Sequence, residues 1–220
     1  MDISVTPLFI AFITTFVAIS LLRPFAININ LVDKPSDRKK HTGSIPLIGG
    51  ISMFLGMLVA ILLSVEVDLN FFNYFILSSL IVVIVGILDD HRNISVGLRF
   101  FFQTIAALII AKVANINIES LGDLLGTGEI FLHSWAVFIT VVAIITAMNA
   151  VNMADGLHGL AGGNSLISFL SIAYLCIYSG SDGNFYMALL FCSVISAFLI
   201  LNLCFGISES KRIFMGDAGS

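Results

Sequence analysis

Seven apolar runs, separated by short polar segments, constrain the fold of this chain more than any other feature. They cover residues 7–22, 45–65, 71–88, 100–113, 131–148, 166–178 and 185–206. A helix of roughly twenty apolar residues crosses the hydrocarbon of a bilayer, and the shortest runs reach that length only with flanking residues. We therefore predict an all-α, polytopic membrane protein with about seven transmembrane helices.

The composition indicates that the bilayer is the solvent of this chain. Of its 220 residues, 58% are hydrophobic and 11% are charged, whereas a soluble domain carries about 25% charged residues. A water-soluble fold of this length has too little interior to bury so much apolar surface. The sequence shows neither an internal repeat nor a composition shift, so we expect residues 1–220 to form a single integral-membrane domain.

The basic residues are distributed unevenly among the polar segments. Nine of the ten Lys and Arg residues fall in alternate segments, within residues 23–44, 89–99 and 207–220. The positive-inside rule then predicts an N-terminus outside the cell and places these segments in the cytoplasm. Residues 149–163 carry no Lys or Arg, and alternation alone puts them on the same side.

A cluster of basic side chains precedes the second apolar run. It consists of Arg38, Lys39, Lys40 and His41, and Gly49 and Gly50 follow at the entry to the next predicted helix. Cations at a membrane surface attract anionic lipid headgroups, which is one interpretation of the cluster. The other is a phosphate-binding loop whose glycines allow close backbone approach. The residues alone leave both open.

Two adjacent carboxylates, Asp89 and Asp90, end the third apolar run. They repel each other, and a helix C-terminus disfavours anions. A divalent metal or the nearby Arg92 and Arg99 would supply the cations that such a pair needs. Because ionisable groups at membrane depth are usually functional, we favour a functional role for this pair.

Polar side chains at a spacing of three residues end the fifth run. Asn149, Asn152 and Asp155 would lie on nearly one face of a helix end. Amide and carboxylate oxygens suit Mg²⁺ or Mn²⁺ rather than zinc. A glycine-rich stretch follows, and helix packing by small residues is its competing explanation. The sequence then closes on Gly216, Asp217 and neighbouring small residues, which alone would indicate an ordinary polar turn.

Taken together and in order, these segments resemble the polyprenyl-phosphate N-acetylhexosamine-1-phosphate transferase family. The matching motifs are Val32-Asp33-Lys34-Pro35 with Arg38, Lys39 and His41; Leu88-Asp89-Asp90; Asn149-x-x-Asn152-Met153-x-Asp155-Gly156; and Phe214-Met215-Gly216-Asp217-Ala218-Gly219-Ser220. The resemblance extends over the whole chain, and no single motif carries it.

The resemblance implies both a reaction and roles for residues. Family members transfer GlcNAc-1-phosphate from cytoplasmic UDP-GlcNAc to undecaprenyl phosphate with Mg²⁺ or Mn²⁺. By position, it implies catalytic roles for Asp89, Asp90 and Asp155, and metal ligation by Asn152 and Asp217. It implies substrate binding by the remaining polar positions, which are Arg38, Lys39, Lys40, His41, Asn149 and His158.

The resemblance also implies a cellular setting. We expect a multi-pass protein of the bacterial inner membrane that initiates a cell-envelope polysaccharide of the O-antigen or common-antigen type. Its expected partners are a UDP-N-acetylhexosamine, undecaprenyl phosphate and membrane lipid, with no nucleic acid. Homo-oligomerisation stays open.

Two departures from the family pattern leave alternatives. His158 stands where the family usually repeats an aspartate, and the chain covers the N-terminal two-thirds of the family architecture. A truncated, non-catalytic membrane remnant or subunit is therefore one alternative to the enzyme. The same transfer with another UDP-N-acetylhexosamine is the second.

The predicted topology can be tested with single cysteines. A cysteine at Ser36 or Ser95 should react with a membrane-impermeant maleimide only from the cytoplasmic side, because both positions lie in basic segments. A cysteine at Ser181 should react only from outside. Labelling of the Ser36 position from outside would contradict the topology and the shared side of the motifs.

Overall fold

The computed structural model describes residues 5–34, 43–63, 69–204 and 211–220, and within them it is predominantly helical. Seven α-helices follow one another along these ranges. They are α1 Thr6–Asn28, α2 Gly49–Leu63, α3 Leu69–Arg92, α4 Val96–Leu108, α5 Ala136–Ala154, α6 Leu160–Ser179 and α7 Asp182–Asn202. Each predicted apolar run overlaps one of these helices, which confirms the helical membrane fold.

Six of the helical stretches in the described ranges are long and apolar enough to cross a bilayer. Their bounds are Thr6–Asn28, Phe72–Arg92, Val96–Val113, His133–Ala154, Leu160–Ser179 and Asp182–Asn202. Helix α2 has 15 described residues, fewer than a full crossing needs. The predicted count of seven spans and the predicted orientation across the membrane therefore stay predictions.

Short irregular elements connect these helices. Strands β1 Val32–Asp33 and β2 Ile45–Pro46 pair antiparallel between α1 and α2. Helix α4 continues into a π-helical turn, Ile109–Val113, and a 3₁₀ turn, His133–Trp135, leads into α5.

The turns at the helix ends are tight, and glycine makes two of them possible. Helix α6 starts after Gly159 at φ 76° and ends before Gly180 at φ 66°, both in the left-handed region that glycine adopts without strain. The connections from α3 to α4 and from α6 to α7 are equally short, so these consecutive helices run as antiparallel neighbours. The end of α3, the end of α5 and the turn before α6 line one cavity, and Arg99 at the start of α4 contacts Asp89 at its edge, so these motif-bearing ends lie at one end of the bundle.

Small residues let the helices approach closely. Helix α1 packs against α2 and α7, and α6 packs against α7. A Cβ on Gly56 of α2 would overlap the hydroxyl of the fully buried Thr15 on α1. This close contact is typical of membrane helices, whose association depends on packing because the lipid is as apolar as the side chains.

The final described segment, residues 213–220, is not helical, yet it enters the bundle. Ile213 and Met215 are almost completely buried. The Phe214 N–H donates to the Pro46 carbonyl at 3.0 Å, and the Gly49 and Gly50 N–H groups donate to the Phe214 and Met215 carbonyls at 3.0 and 2.9 Å. We call residues 213–220 the docked segment.

Two helix glycines make room for the docked segment. A Cβ on Gly50 would overlap the backbone of Ala218 and Gly219, and one on Gly86 of α3 would overlap the backbone of Ala218. The suggestion that Gly49 and Gly50 admit a phosphate is therefore wrong for their N–H groups, which the docked segment already uses. The close approach is real, but its partner is the protein's own backbone.

This packing predicts a position-specific cost for an added methyl group. Gly86→Ala should destabilise the protein by about 1–3 kcal/mol, because the Cβ overpacks the docked segment. Gly97→Ala on α4 is the matched control, since a Cβ there meets nothing within 4 Å. It should be neutral or stabilising by up to about 1 kcal/mol. Thermal unfolding in detergent measures both, and equal stability of the two variants would contradict the docking.

Candidate functional site

The acidic pair at the end of α3 is buried and partly neutralised. Asp89 is 5% exposed, and its Oδ2 accepts a hydrogen bond from Arg99 Nη1 at 2.7 Å. Arg99 is thus one of the two cations that the sequence suggested, while Arg92 is exposed and has no ion pair within the described ranges. An arginine is needed here because the helix C-terminus itself disfavours the carboxylates.

Asp90 faces the docked segment. Its Oδ1 accepts the Asp217 N–H at 3.1 Å. Its Oδ2 is buried and finds no hydrogen-bond donor among the described residues. Only a glycine fits opposite, because a Cβ on Gly216, at φ 73°, would lie 2.7 Å from this oxygen. An acceptor left without a donor is costly unless a proton, a cation or a ligand completes it.

The docked segment brings Asp217 to the end of α5. Asn152 Nδ2 donates to Asp217 Oδ1 at 2.7 Å and to the Ser220 hydroxyl at 2.9 Å. Arg99 Nη1 lies 3.8 Å from Asp217 Oδ2. The two positions for which the resemblance implied metal ligation, 65 residues apart in the sequence, are therefore in direct contact.

The surroundings of Asp217 disfavour the charged form of its carboxyl. Burial raises the pKa of the Asp217 carboxyl above its ordinary value, and the neighbouring Asp89 carboxyl raises it further. The amide of Asn152 and the charge of Arg99 oppose this shift without cancelling it. A further cation would relieve the remaining repulsion.

A cavity of about 810 Å³ opens at this end of the bundle. Its lining contains six of the sequence-predicted site residues, which are Asp89, Asp90, Asn152, Asp155, His158 and Asp217. Asp33 of β1 also lines it, so five carboxylates border one space. A cavity of this size accommodates a small molecule. Because its wall is acidic, it favours a ligand that is positively charged or is bound together with a cation.

His158 packs flat against the docked segment. Its ring stacks on Phe214 with centroids 5.1 Å apart and an interplanar angle of 28°. Both side chains line the cavity. Asp155 caps the C-terminus of α5 and contributes to the same wall.

Asn149 lies beside the cavity rather than in it. Its Nδ2 donates to Gln103 Oε1 at 2.9 Å and to the Ile145 carbonyl at 2.8 Å. It borders a small adjoining space together with Arg99, Asn152 and other residues. The expectation that Asn149, Asn152 and Asp155 share one face thus holds for the last two, while Asn149 faces α4. The predicted basic residues Arg38, Lys39, Lys40 and His41 lie outside the described residues.

Sequence reasoning did not single out two polar residues of this region. Gln103 lies one helical turn after Arg99 on α4, and this spacing was the available signal. Asn202 ends the apolar α7, is 3% exposed, and donates through Nδ2 to the Ile213 carbonyl at 2.8 Å. A lone amide at the end of an apolar run was visible in the sequence, but its partner was not.

Comparison with known proteins identifies the family of this chain. The family model described as glycosyl transferase family 4 matches residues 72–220. Undecaprenyl-phosphate alpha-N-acetylglucosaminyl 1-phosphate transferases are 36% identical in Yersinia pestis over 98% of this chain and 38% identical in Haemophilus influenzae over 97% of it. The chain spans 58% and 60% of the length of these two relatives. The chain therefore belongs to glycosyl transferase family 4.

Proposed function

We propose that this chain transfers N-acetylglucosamine 1-phosphate from UDP-N-acetylglucosamine to undecaprenyl phosphate. The observation that carries the proposal is the acidic cavity, where α3, α5 and the docked segment bring together Asp89, Asp90, Asn152 and Asp217. The names of this chain's relatives support the same reaction. The chain spans about three-fifths of their length, so we propose their activity for it on the strength of this site.

The proposed reaction takes place at the membrane surface. The multi-pass fold belongs in the bacterial inner membrane, where a lipid-linked acceptor resides. The donor would reach the cavity from the cytoplasm, consistent with the predicted side of the motif loops. We further propose that the product initiates a cell-envelope polysaccharide of the O-antigen or common-antigen type.

The bonds of the proposed step balance without an oxidant or reductant. An oxygen of the lipid phosphate attacks the phosphorus that carries the sugar, and a new P–O–P linkage forms. The bond from that phosphorus to the bridging oxygen of UDP breaks, and this oxygen leaves with UMP. Such a transfer requires positioning and charge stabilisation more than covalent participation by the protein.

The residues present fit a divalent cation. Asp217 and Asn152 would hold Mg²⁺ or Mn²⁺, since carboxylate and amide oxygens are hard donors and further carboxylates line the same cavity. The Asn152 amide nitrogen faces Asp217 in this structure, so its oxygen would turn toward the ion on binding. The described residues contain no group of three or more His, Cys, Asp or Glu arranged as metal ligands. Mg²⁺ commonly takes one or two carboxylates and completes its shell with water and phosphate. When bound, the ion would neutralise the diphosphate of the donor.

The two adjacent aspartates have different proposed roles. Asp89 is paired with Arg99 at 2.7 Å, and this charge-assisted contact anchors its carboxylate to the start of α4. One carboxylate oxygen of Asp90 is buried and has no hydrogen-bond donor among the described residues, and Asp90 is one of the residues that line the cavity. We infer that Asp90 contacts the attacking lipid phosphate or takes its proton, and that Asp89 orients the surrounding charges. Asp155, on the same wall, would act with Asp90.

One prediction of the proposed function concerns Asp217. Asp217→Asn should lower transfer at least about 100-fold, because even loss of an outer-shell partner of a metal costs 10–100-fold. The control is Asp182→Asn, which makes the same chemical change at the first residue of α7, far from the cavity. It should leave transfer within about twofold of wild type. The assay supplies UDP-N-acetylglucosamine, undecaprenyl phosphate and Mg²⁺, and it measures the lipid-linked diphosphosugar together with UMP.

Three outcomes of this assay are informative. Product from the 220-residue chain would support the proposed enzyme and contradict the non-catalytic remnant. A chain that yields no product in this assay, but that binds undecaprenyl phosphate in a separate binding measurement, would favour the remnant instead. Undiminished transfer by purified Asp217→Asn protein would remove Asp217 from the metal site.

Another prediction of the proposed function concerns His158, which replaces an aspartate of the family pattern. A carboxylate at this position would add negative charge beside Asp155 and strengthen cation or proton binding, so His158→Asp should raise transfer several-fold. His133→Asp, at the other end of the bundle, is the control. If His158 instead donates to phosphate, His158→Asp should lower transfer, and the wild type should gain activity as mildly acidic pH charges the imidazole.

A further inference from the structure

One cation lies between two carboxylates from different elements. Arg99 Nη1 is 2.7 Å from Asp89 Oδ2 at the end of α3 and 3.8 Å from Asp217 Oδ2 in the docked segment. The Arg99 side chain is 31% exposed and that of Asp89 is 7% exposed, so the carboxylate is buried while the guanidinium stays partly solvated. Charge-assisted hydrogen bonds in such surroundings are stronger than surface ion pairs.

The start of α4 places Arg99 in this position. The Ser95 hydroxyl accepts the Leu98 N–H at 3.4 Å and caps the helix, so Arg99 lies in its first turn. Asp89 precedes Arg99 by ten residues across a tight connection. The guanidinium is therefore held close to Asp89 by the short connection between α3 and α4, whereas Asp217 belongs to the docked segment, far away in the sequence.

We propose that Arg99 is a positioning residue that acts as a resident counter-charge, holding Asp89 in place and competing with a divalent cation for Asp217. The inference rests on the metal site of the proposed function and extends it to the control of cation affinity. The Arg99 guanidinium already balances part of the negative charge of Asp217. A divalent ion at Asp217 consequently binds against the repulsion of a guanidinium only a few ångströms away.

This role has a signature that a purely structural role lacks. If Arg99 only held α4 against α3, its removal would loosen the site around Asp89 and Asp217. Cation binding and transfer would then both become weaker. A competing counter-charge predicts changes of opposite sign. Cation binding becomes tighter when the guanidinium is lost, whereas transfer falls because Asp89 is no longer held.

The test measures Mn²⁺ binding to the purified 220-residue chain by electron paramagnetic resonance of the free ion. Only the class of sites that disappears in Asp217→Asn is counted. Arg99→Gln should lower the Kd of that class about tenfold, and Arg99→Met, which keeps an aliphatic side chain, should do the same. Arg99→Lys retains the charge and should stay within about threefold of wild type.

Arg92→Gln is the matched control. Arg92 lies at the same end of the bundle, is exposed, and makes no ion pair within the described ranges. The same loss of one positive charge there should change the Kd for Mn²⁺ by less than about twofold, because solvent screens it.

The possible failures can be told apart. A wild-type chain without an Asp217-dependent Mn²⁺ site would remove the metal site of the proposed function, and this inference with it. An intact site whose affinity is unchanged or weaker in folded Arg99→Gln and Arg99→Met would overturn the role of Arg99 alone. An equal gain in affinity in Arg92→Gln would overturn it as well, since the effect would then be one of general charge.

Discussion

Irregular backbone inside a membrane protein must find its hydrogen bonds within the protein, and the docked segment depends on this constraint. Buried N–H and C=O groups are costly when they are left unpaired, so a non-helical stretch is stable inside a helix bundle only when the protein supplies its hydrogen-bond partners. Residues 213–220 meet the requirement through backbone bonds to Pro46, Gly49 and Gly50 and through the Asn202 amide. The glycines at positions 50 and 86 supply the space.

Docking of this segment sets the chemistry of the site. It carries Asp217 to Asn152 and presents an N–H group to Asp90, so residues from α3, α5 and the docked segment share their hydrogen bonds. Five carboxylates of the sequence motifs then border one cavity, which are Asp33, Asp89, Asp90, Asp155 and Asp217. Arg99 balances part of this charge, and the imbalance that remains is the physical reason to expect a divalent cation.

The sequence predicted the helical membrane fold well, because apolar length is a direct signal of a span. It also predicted that the motifs gather at one end of the bundle, since alternation of spans brings every second segment to the same side. It did not predict the docked segment, because a Gly-Asp-x-Gly stretch has the composition of an ordinary turn and its burial depends on distant glycines. The contact between Arg99 and Asp217 was hidden for the same reason. Position 99 and position 217 meet only through tertiary packing.

Hydrogen exchange of the docked segment tests the central claim most directly. Backbone amides of Phe214 and Asp217 donate to Pro46 and Asp90, so peptides covering residues 211–220 should exchange slowly. The exposed loop around Leu124 and Leu125 provides a rapidly exchanging reference in the same sample. Strong protection relative to that loop is the predicted result. Exchange of residues 211–220 as fast as the loop would contradict the docking and the site built on it.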